Sequence, residues 1–226
     1  MAGARRYNRS GGQLDLDSPV PDDCALIVVD VQNDFCAGGP LAVQGAEEIV
    51  PIINHLVSRS SHVAFTRDWH PADHCSFADP PRFVDGSWPV HCVADTPGAA
   101  FHPSLKIPPD APIVSKGTAR DKEAYSGFAN PELERALRAW SIARVYICGL
   151  ATDYCVKSTA LDARHAGFDV SVVRDACRAV DGSGRAERHE TERDAMMRGS
   201  LRGIAARYRA PGGRCGGGRH APSFTR

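Results

Sequence analysis

Three residues that could form a nucleophilic site follow separate apolar segments of this 226-residue chain. Asp30 ends the run "CALIVV", Lys116 ends "APIVSK", and Cys155 lies between "RVYICGL" and a helical pattern. A thiol at the start of a helix faces unpaired N–H groups and the positive end of the helix dipole, which favour the thiolate. Asp30 could take its proton, and Lys116 could orient Asp30 and add positive potential. Taken singly, Asp30 and Lys116 also suit a structural ion pair, and Cys155 an inert buried thiol.

A second group of residues has the types and spacing of a metal site. Asp68, His70 and His74 lie in "TRDWHPADH", and His91 lies in "WPVHC". One carboxylate with two or three imidazoles suits Zn, Fe or Mn. The short Asp-x-His spacing on an extended chain puts both side chains on one side. The alternative is a set of scattered surface histidines, because the chain has nine.

Buried strands alternate with helical patterns, and these elements would position the reactive residues. The strand-like runs are "CALIVVDV", "HVAFTRD", "APIVSK", "RVYICGL" and "DVSVVRD". The helical patterns between them are "EIVPIINHLVSRS", "NPELERALRAW" and "CVKSTALDARHAG". This alternation predicts an α/β fold with right-handed crossovers and a mostly parallel sheet. Ligands bind beyond the carboxyl ends of such strands, so Asp30, Asp68, Lys116 and Cys155 should meet at one edge.

Composition predicts the domain boundaries. Residues 1–22 are polar and expected to be flexible, residues 23–208 should form one folded domain, and residues 209–226 are Gly- and Arg-rich and expected to be disordered. The segment 71–112 is rich in Pro, Gly, Asp and His with little periodicity. A loop of that length in a compact domain is usually functional.

The charge balance argues against partners that bind through strong electrostatic attraction. Lys+Arg and Asp+Glu both number 27, which argues against nucleic acid or an anionic membrane and favours a small neutral partner. No apolar run approaches the roughly 20 residues of a membrane span, so we expect a cytoplasmic protein, either a monomer or a homo-oligomer. The eight cysteines include no Cys-x-x-Cys pair, which argues against a disulfide framework. Cys148, inside a strand-like run, is expected to be apolar filler.

Together these segments resemble the nicotinamidases, also called pyrazinamidases, of the isochorismatase-like cysteine hydrolases. The match runs from about residue 25 to 181. It is carried by "ALIVVDVQNDFCAGGPLAVQGAEEIVPIIN", "TRDWHPADHCSF", "WPVHCVADTPGAAFHP", "KGTARDKEAYSGF" and "CGLATDYCVKSTALDA". The resemblance implies a three-layer α/β/α fold with a mostly parallel sheet of about six strands. The chain departs from the family near its end, where "SLRGIAARYRAPGG" makes a poor sixth strand.

The resemblance also assigns roles to individual residues. It implies a catalytic triad, an oxyanion hole of two backbone N–H groups behind a cis peptide, a divalent metal site, and a ring-binding wall. The triad is Asp30, Lys116 and Cys155; the oxyanion hole is Ala151 and Cys155 with the cis bond at Leu150–Ala151; the metal ligands are Asp68, His70 and His91 with His74 as an optional fourth; the wall is Phe35, Trp88 and Tyr125.

The leading hypothesis is a metal-dependent amidohydrolase that converts nicotinamide to nicotinate and ammonia through a thioester on Cys155. Pyrazinamide, which has a ring nitrogen in the same place, should also react. Two alternatives remain: a related cysteine hydrolase acting on another small amide, and a metal-binding relative without catalytic activity.

Overall fold

The sheet that carries the site is parallel throughout. In the computed structural model, residues 19–83 and 86–180 are described. Within them lie five strands, in the spatial order β3-β2-β1-β4-β5, and every neighbouring pair is parallel. Their bounds are β1 Cys24–Val29, β2 Val63–Asp68, β3 Ile113–Lys116, β4 Arg144–Leu150 and β5 Asp169–Arg178. The predicted α/β fold is therefore confirmed.

In the described part of the chain, three α-helices flank the sheet: α1 Ile49–Val57, α2 Pro131–Ala139 and α3 Lys157–His165. The start of α2 is fixed by its sequence, because the Asn130 side chain accepts a 3.0 Å hydrogen bond from the Glu132 N–H and Pro131 is the first helical residue. Helix α3 is followed by Gly167, whose φ of +90° is the left-handed conformation that glycine adopts readily.

The core lies around the central strands. All six residues of β1 are buried, as its continuous apolar run predicts for a strand covered on both faces. Cys148 in β4 is fully buried, and its thiol points to the Ile27 carbonyl oxygen, 3.7 Å away. Six cysteines of the described residues are free thiols: Cys24, Cys36, Cys92, Cys148, Cys155 and Cys177.

The strand order changes direction at β1, and this change defines a ligand-binding edge. The chain runs outward from β1 through β2 to β3, then returns to the other side of β1 to form β4 and β5. Parallel sheets open a crevice at the carboxyl ends of the strands where the order reverses. The long segment between β2 and β3 crosses this same edge, since His70 forms a bridge with Val93.

Some predictions concern residues outside the described ranges. Residues 1–18 and 181–226 lie outside them, and with them the tail 209–226 and the doubtful sixth strand. Of the segment 1–22, the described residues include Val20, which is buried and donates its N–H to the Arg59 carbonyl. Within residues 19–83 and 86–180, no helix has the length and apolarity to cross a membrane.

Candidate active site

The candidate catalytic residues meet because four parallel strands end at the same edge. Asp30 directly follows β1, Asp68 and Lys116 end β2 and β3, and Cys155 lies in a π-helical turn, Thr152–Val156, after β4. All four side chains are buried. Asp30 has a φ of +51°, so the chain turns sharply as it leaves β1. The convergence expected from the sequence is thus observed.

Lys116 is the centre of this group. Its Nζ atom lies 2.8 Å from Asp30 Oδ2, 2.5 Å from Asp68 Oδ1 and 3.3 Å from Cys155 Sγ. Only 2% of Lys116 is exposed. Burial by itself lowers the pKa of an ammonium group, but the two carboxylates outweigh it and hold the pKa of Lys116 well above its ordinary value. The Lys116 side chain therefore remains a cation between the carboxylates and the thiol.

Asp30 combines a fixed orientation with an increased proton affinity. Oδ1 accepts a 2.7 Å hydrogen bond from the Thr66 hydroxyl, while Oδ2 faces Lys116 and has no well-aligned hydrogen-bond donor among the described residues. Burial raises the pKa of Asp30, and the opposing effect of the Lys116 charge does not cancel it. A carboxylate whose pKa is raised towards neutrality is a better general base.

Cys155 is less acidic than its position before a helix predicts. Burial, followed by the charges of Asp30 and Asp68, raises the pKa of Cys155 well above its ordinary value, although Lys116 acts in the opposite direction. Burial therefore opposes the thiolate that the helix terminus is expected to favour. The thiol keeps its proton until a base removes it. One oxygen of Asp30 lies within 4.8 Å of the sulfur and is placed to do so.

Asp68, His70 and His91 form a compact set of ligand atoms. One ligand atom from each residue lies within 4.8 Å of the others, and all three residues are buried. His70 Nδ1 lies 2.9 Å from the Gly117 carbonyl oxygen and His91 Nδ1 lies 2.8 Å from the Pro89 carbonyl oxygen. Each ring therefore donates from Nδ1, which leaves the Nε2 lone pair free to bind a metal. This donor set fits a divalent ion.

His74 differs from the other two histidines. Its ring lies 4.3 Å from that of His70, measured between centroids, but both of its nitrogens have protein partners. Nδ1 lies 2.8 Å from the Ser76 hydroxyl and Nε2 lies 3.2 Å from the Lys122 carbonyl oxygen. His74 thus stands beside the ligand set, and in this arrangement it offers no free lone pair.

A pocket joins the two groups. Cys155 and Ala151 line one part of the pocket, and Asp68, His70 and His91 line another part.

The predicted wall of Phe35, Trp88 and Tyr125 also lines the pocket. The Trp88 indole N–H donates a 3.0 Å hydrogen bond to the Tyr125 hydroxyl oxygen, which fixes both rings. The Leu150–Ala151 peptide is cis, as the resemblance implied.

A second, more open groove is lined by residues of α1 and of the segment around His102. It is larger than the pocket at the sheet edge but contains neither the buried ion pair nor the compact ligand set. The smaller pocket is therefore the candidate active site, because Cys155 and the Asp68, His70 and His91 cluster both line it.

Comparison with known proteins agrees with this arrangement. The isochorismatase domain family matches residues 24–200, which is most of the chain. The chain belongs to this family. It is 41% identical over 189 residues to a nicotinamidase of Acinetobacter baylyi, a match that covers 76% of this chain and 88% of the relative. The predicted resemblance is confirmed, and so is the prediction of a hydrolase acting on an amide.

Two solved structures of related proteins contain informative ligands. The pyrazinamidase of Pyrococcus horikoshii in complex with zinc is 44% identical, with a TM-score of 0.68, covering 76% of this chain and 95% of its own. PnC1 of L. infantum in complex with nicotinate is 35% identical, with a TM-score of 0.70, covering 79% of this chain and 92% of its own.

Several residues that shape this isochorismatase-family site escaped the sequence analysis. Gln32 is fully buried; its Nε2 donates to the Asp68 carbonyl oxygen and its Oε1 accepts from the Asp68 N–H, each at 2.8 Å. The Thr66 hydroxyl donates a hydrogen bond to Asp30. Its position on the same strand, two residues before Asp68 and so on the same face, could have identified Thr66 from the sequence. Glu123 and Tyr154 line the pocket, and nothing in their sequence spacing marked them.

Proposed function

We propose that this protein is a metal-dependent nicotinamidase and pyrazinamidase that works through a thioester on Cys155. The observation that carries the proposal is the pocket lined by both Cys155 and the Asp68, His70 and His91 cluster, with the buried Asp30–Lys116 pair directly beside Cys155. The names of the A. baylyi and P. horikoshii relatives support the substrate class.

In the proposed first half-reaction, Asp30 takes the Cys155 proton as the sulfur attacks the carboxamide carbon. The N–H groups of Ala151 and Cys155 stabilise the negative charge that develops on the carbonyl oxygen. Asp30 then donates the proton to the amide nitrogen, the C–N bond breaks, and ammonia leaves. Because the Cys155 thiol has a raised pKa, the basicity of Asp30 is required for attack rather than accessory to it.

The second half-reaction uses the same residues. Asp30 removes a proton from water as the water oxygen attacks the thioester carbon. The C–S bond breaks, the sulfur recovers a proton from Asp30, and the acid is released. Lys116 remains charged throughout and stabilises the negative charge that moves between Asp30 and Cys155.

The substrate ring would be held between Phe35, Trp88 and Tyr125. Asp68, His70 and His91 would bind one divalent ion, Zn, Fe or Mn, which supplies a Lewis acid able to bind a ring nitrogen. His74 would support His70 from outside the ligand set. The ring contacts and the ion would orient the carboxamide towards Cys155. They would speed the reaction by holding the reacting atoms close together, and they would take no part in breaking bonds.

The experiment that tests this proposal measures ammonia release from nicotinamide, pyrazinamide and benzamide. We expect turnover of the first two, little of benzamide, and a loss of at least about 1,000-fold in Cys155→Ala. Cys148→Ser is the matched control, since Cys148 lies in β4 away from the pocket, and it should retain activity. Equal turnover of benzamide would favour a hydrolase of other small amides. Absence of turnover of every amide would favour a relative without catalytic activity.

A further inference from the structure

Glu123 is a charged residue of the pocket that the proposed chemistry does not use. It lines the pocket together with Asp68, His91 and Tyr125, and it is half-buried. The segment that carries it also contacts the histidines, because the carbonyl oxygen of Lys122 accepts from His74 Nε2 at 3.2 Å. The Glu123 carboxylate is therefore part of the binding wall.

The charge of Glu123 acts on the ring-binding part of the pocket. Burial raises the pKa of Tyr125, and Glu123 is the next largest cause of that increase. Burial lowers the pKa of His91, whereas the charges of Asp68 and then Glu123 act in the opposite direction. These effects place the carboxylate near the aromatic wall and the histidine cluster.

The partners of the Glu123 carboxylate differ from those of Asp30 and Asp68. Asp30 and Asp68 share the Lys116 ammonium, but no Lys or Arg of residues 19–83 and 86–180 forms an ion pair with Glu123. Its carboxylate accepts one hydrogen bond, at 2.9 Å, from the neighbouring Ala124 N–H. A carboxylate that lines a partly enclosed pocket is screened less than one in open solvent, so it repels an anionic ligand more than a neutral one.

We propose that Glu123 is a specificity-determining residue, whose carboxylate makes the pocket prefer the neutral amide to the anionic acid that hydrolysis produces. This inference rests on the proposed function, which turns a neutral carboxamide into a carboxylate. Repulsion of the anion is a form of selection against the wrong ligand, and here it favours release of the product.

The test compares binding of nicotinate and nicotinamide to zinc-loaded protein by calorimetry. Both ligands are measured in Cys155→Ala, which prevents turnover, and in Cys155→Ala with Glu123→Gln. We expect the second substitution to tighten nicotinate binding by about tenfold or more and to change nicotinamide binding by less than about twofold. Glu132→Gln on the exposed surface of α2 is the matched control and should change neither.

A kinetic measurement provides an independent readout. With Cys155 intact, Glu123→Gln should lower the ratio of the nicotinate inhibition constant to the nicotinamide KM by the same factor. The inference would be overturned if the ratio of nicotinate affinity to nicotinamide affinity stayed the same, for example because both ligands bound equally more weakly. That result would indicate a structural role for Glu123. Absence of nicotinamide turnover by the unmodified protein would instead refute the proposed function, so the two failures are distinguishable.

Discussion

At the scale of single residues, the important feature is that Cys155 and Asp30 are buried together. Burial raises the pKa of both groups, the Lys116 charge lowers both, and the Asp30 charge further raises the pKa of Cys155. A lone buried thiol would be inert. Cys155 differs because a general base and a cation lie beside it, so its reactivity depends on its neighbours rather than on its own acidity.

The first prediction concerns the pH at which Cys155 reacts with iodoacetamide. Because the pKa of Cys155 is raised, its alkylation should increase only at pH values above the ordinary range for a thiol. The charge of Asp30 raises this pKa, so Asp30→Asn should shift the alkylation profile down by about one pH unit while turnover is lost. Alkylation is measured by mass spectrometry of the Cys155 peptide across a pH series.

Asp162→Asn on the exposed surface of α3 is the control and should leave the profile unchanged. An upward shift in Asp30→Asn would mean that Asp30 stabilises the thiolate, which contradicts the electrostatic account.

At the scale of elements, the two histidines of the candidate metal site are oriented by backbone carbonyl groups outside the strands. Gly117 follows β3, has a φ of +63°, and accepts the His70 ring N–H on its carbonyl oxygen. A Cβ atom at Gly117 would lie 2.3 Å from His70 Cε1, so only glycine lets the chain pass this close to the imidazole. The residue that follows β3 therefore orients a candidate ligand that follows β2.

The second prediction is that Gly117→Ala displaces His70 and lowers the affinity of the protein for zinc by at least about tenfold. The affinity is measured by competition with a coloured chelator. Gly167→Ala is the matched control, because Gly167 also has a positive φ but an added Cβ atom there would meet no atom within 4 Å. That control should lose some stability and retain its zinc affinity. Equal zinc affinity in both variants would show that His70 tolerates the added methyl group.

At the scale of the whole molecule, the candidate nucleophile and the candidate metal cluster are adjacent, and the proposed mechanism gives them separate roles. Asp68 is the residue common to both, since one of its oxygens faces Lys116 and the other lies 3.7 Å from His70 Nε2. In that mechanism the triad would make and break bonds, and the cluster would position the ligand. This division predicts that the two functions can be separated by experiment.

The third prediction is that a chelator abolishes nicotinamide turnover while Cys155 still reacts with iodoacetamide at a fixed alkaline pH. Turnover should return when Zn, Fe or Mn is added, and His70→Ala should behave like the chelated protein. Benzamide should be a poor substrate with or without metal. A metal-free protein that hydrolyses nicotinamide at the normal rate would remove the positioning role from Asp68, His70 and His91.

The sequence alone determined the fold class and brought the main candidates to one edge. Continuous apolar runs such as β1 are readable because a strand buried on both faces needs no polar residue, and parallel strands end on the same side. The polar residue after each run was therefore a sound candidate. The family motifs added the aromatic wall and the cis bond at Leu150–Ala151, which spacing could not reveal.

Only the tertiary structure decided the electrostatics and the supporting contacts. The raised pKa of Cys155 results first from burial, which depends on how the whole edge of the sheet packs. The partners of the two His74 ring nitrogens are Ser76 and Lys122, the second of which is distant in sequence. Glu123 became visible for the same reason, since long-range packing places its charge in the pocket.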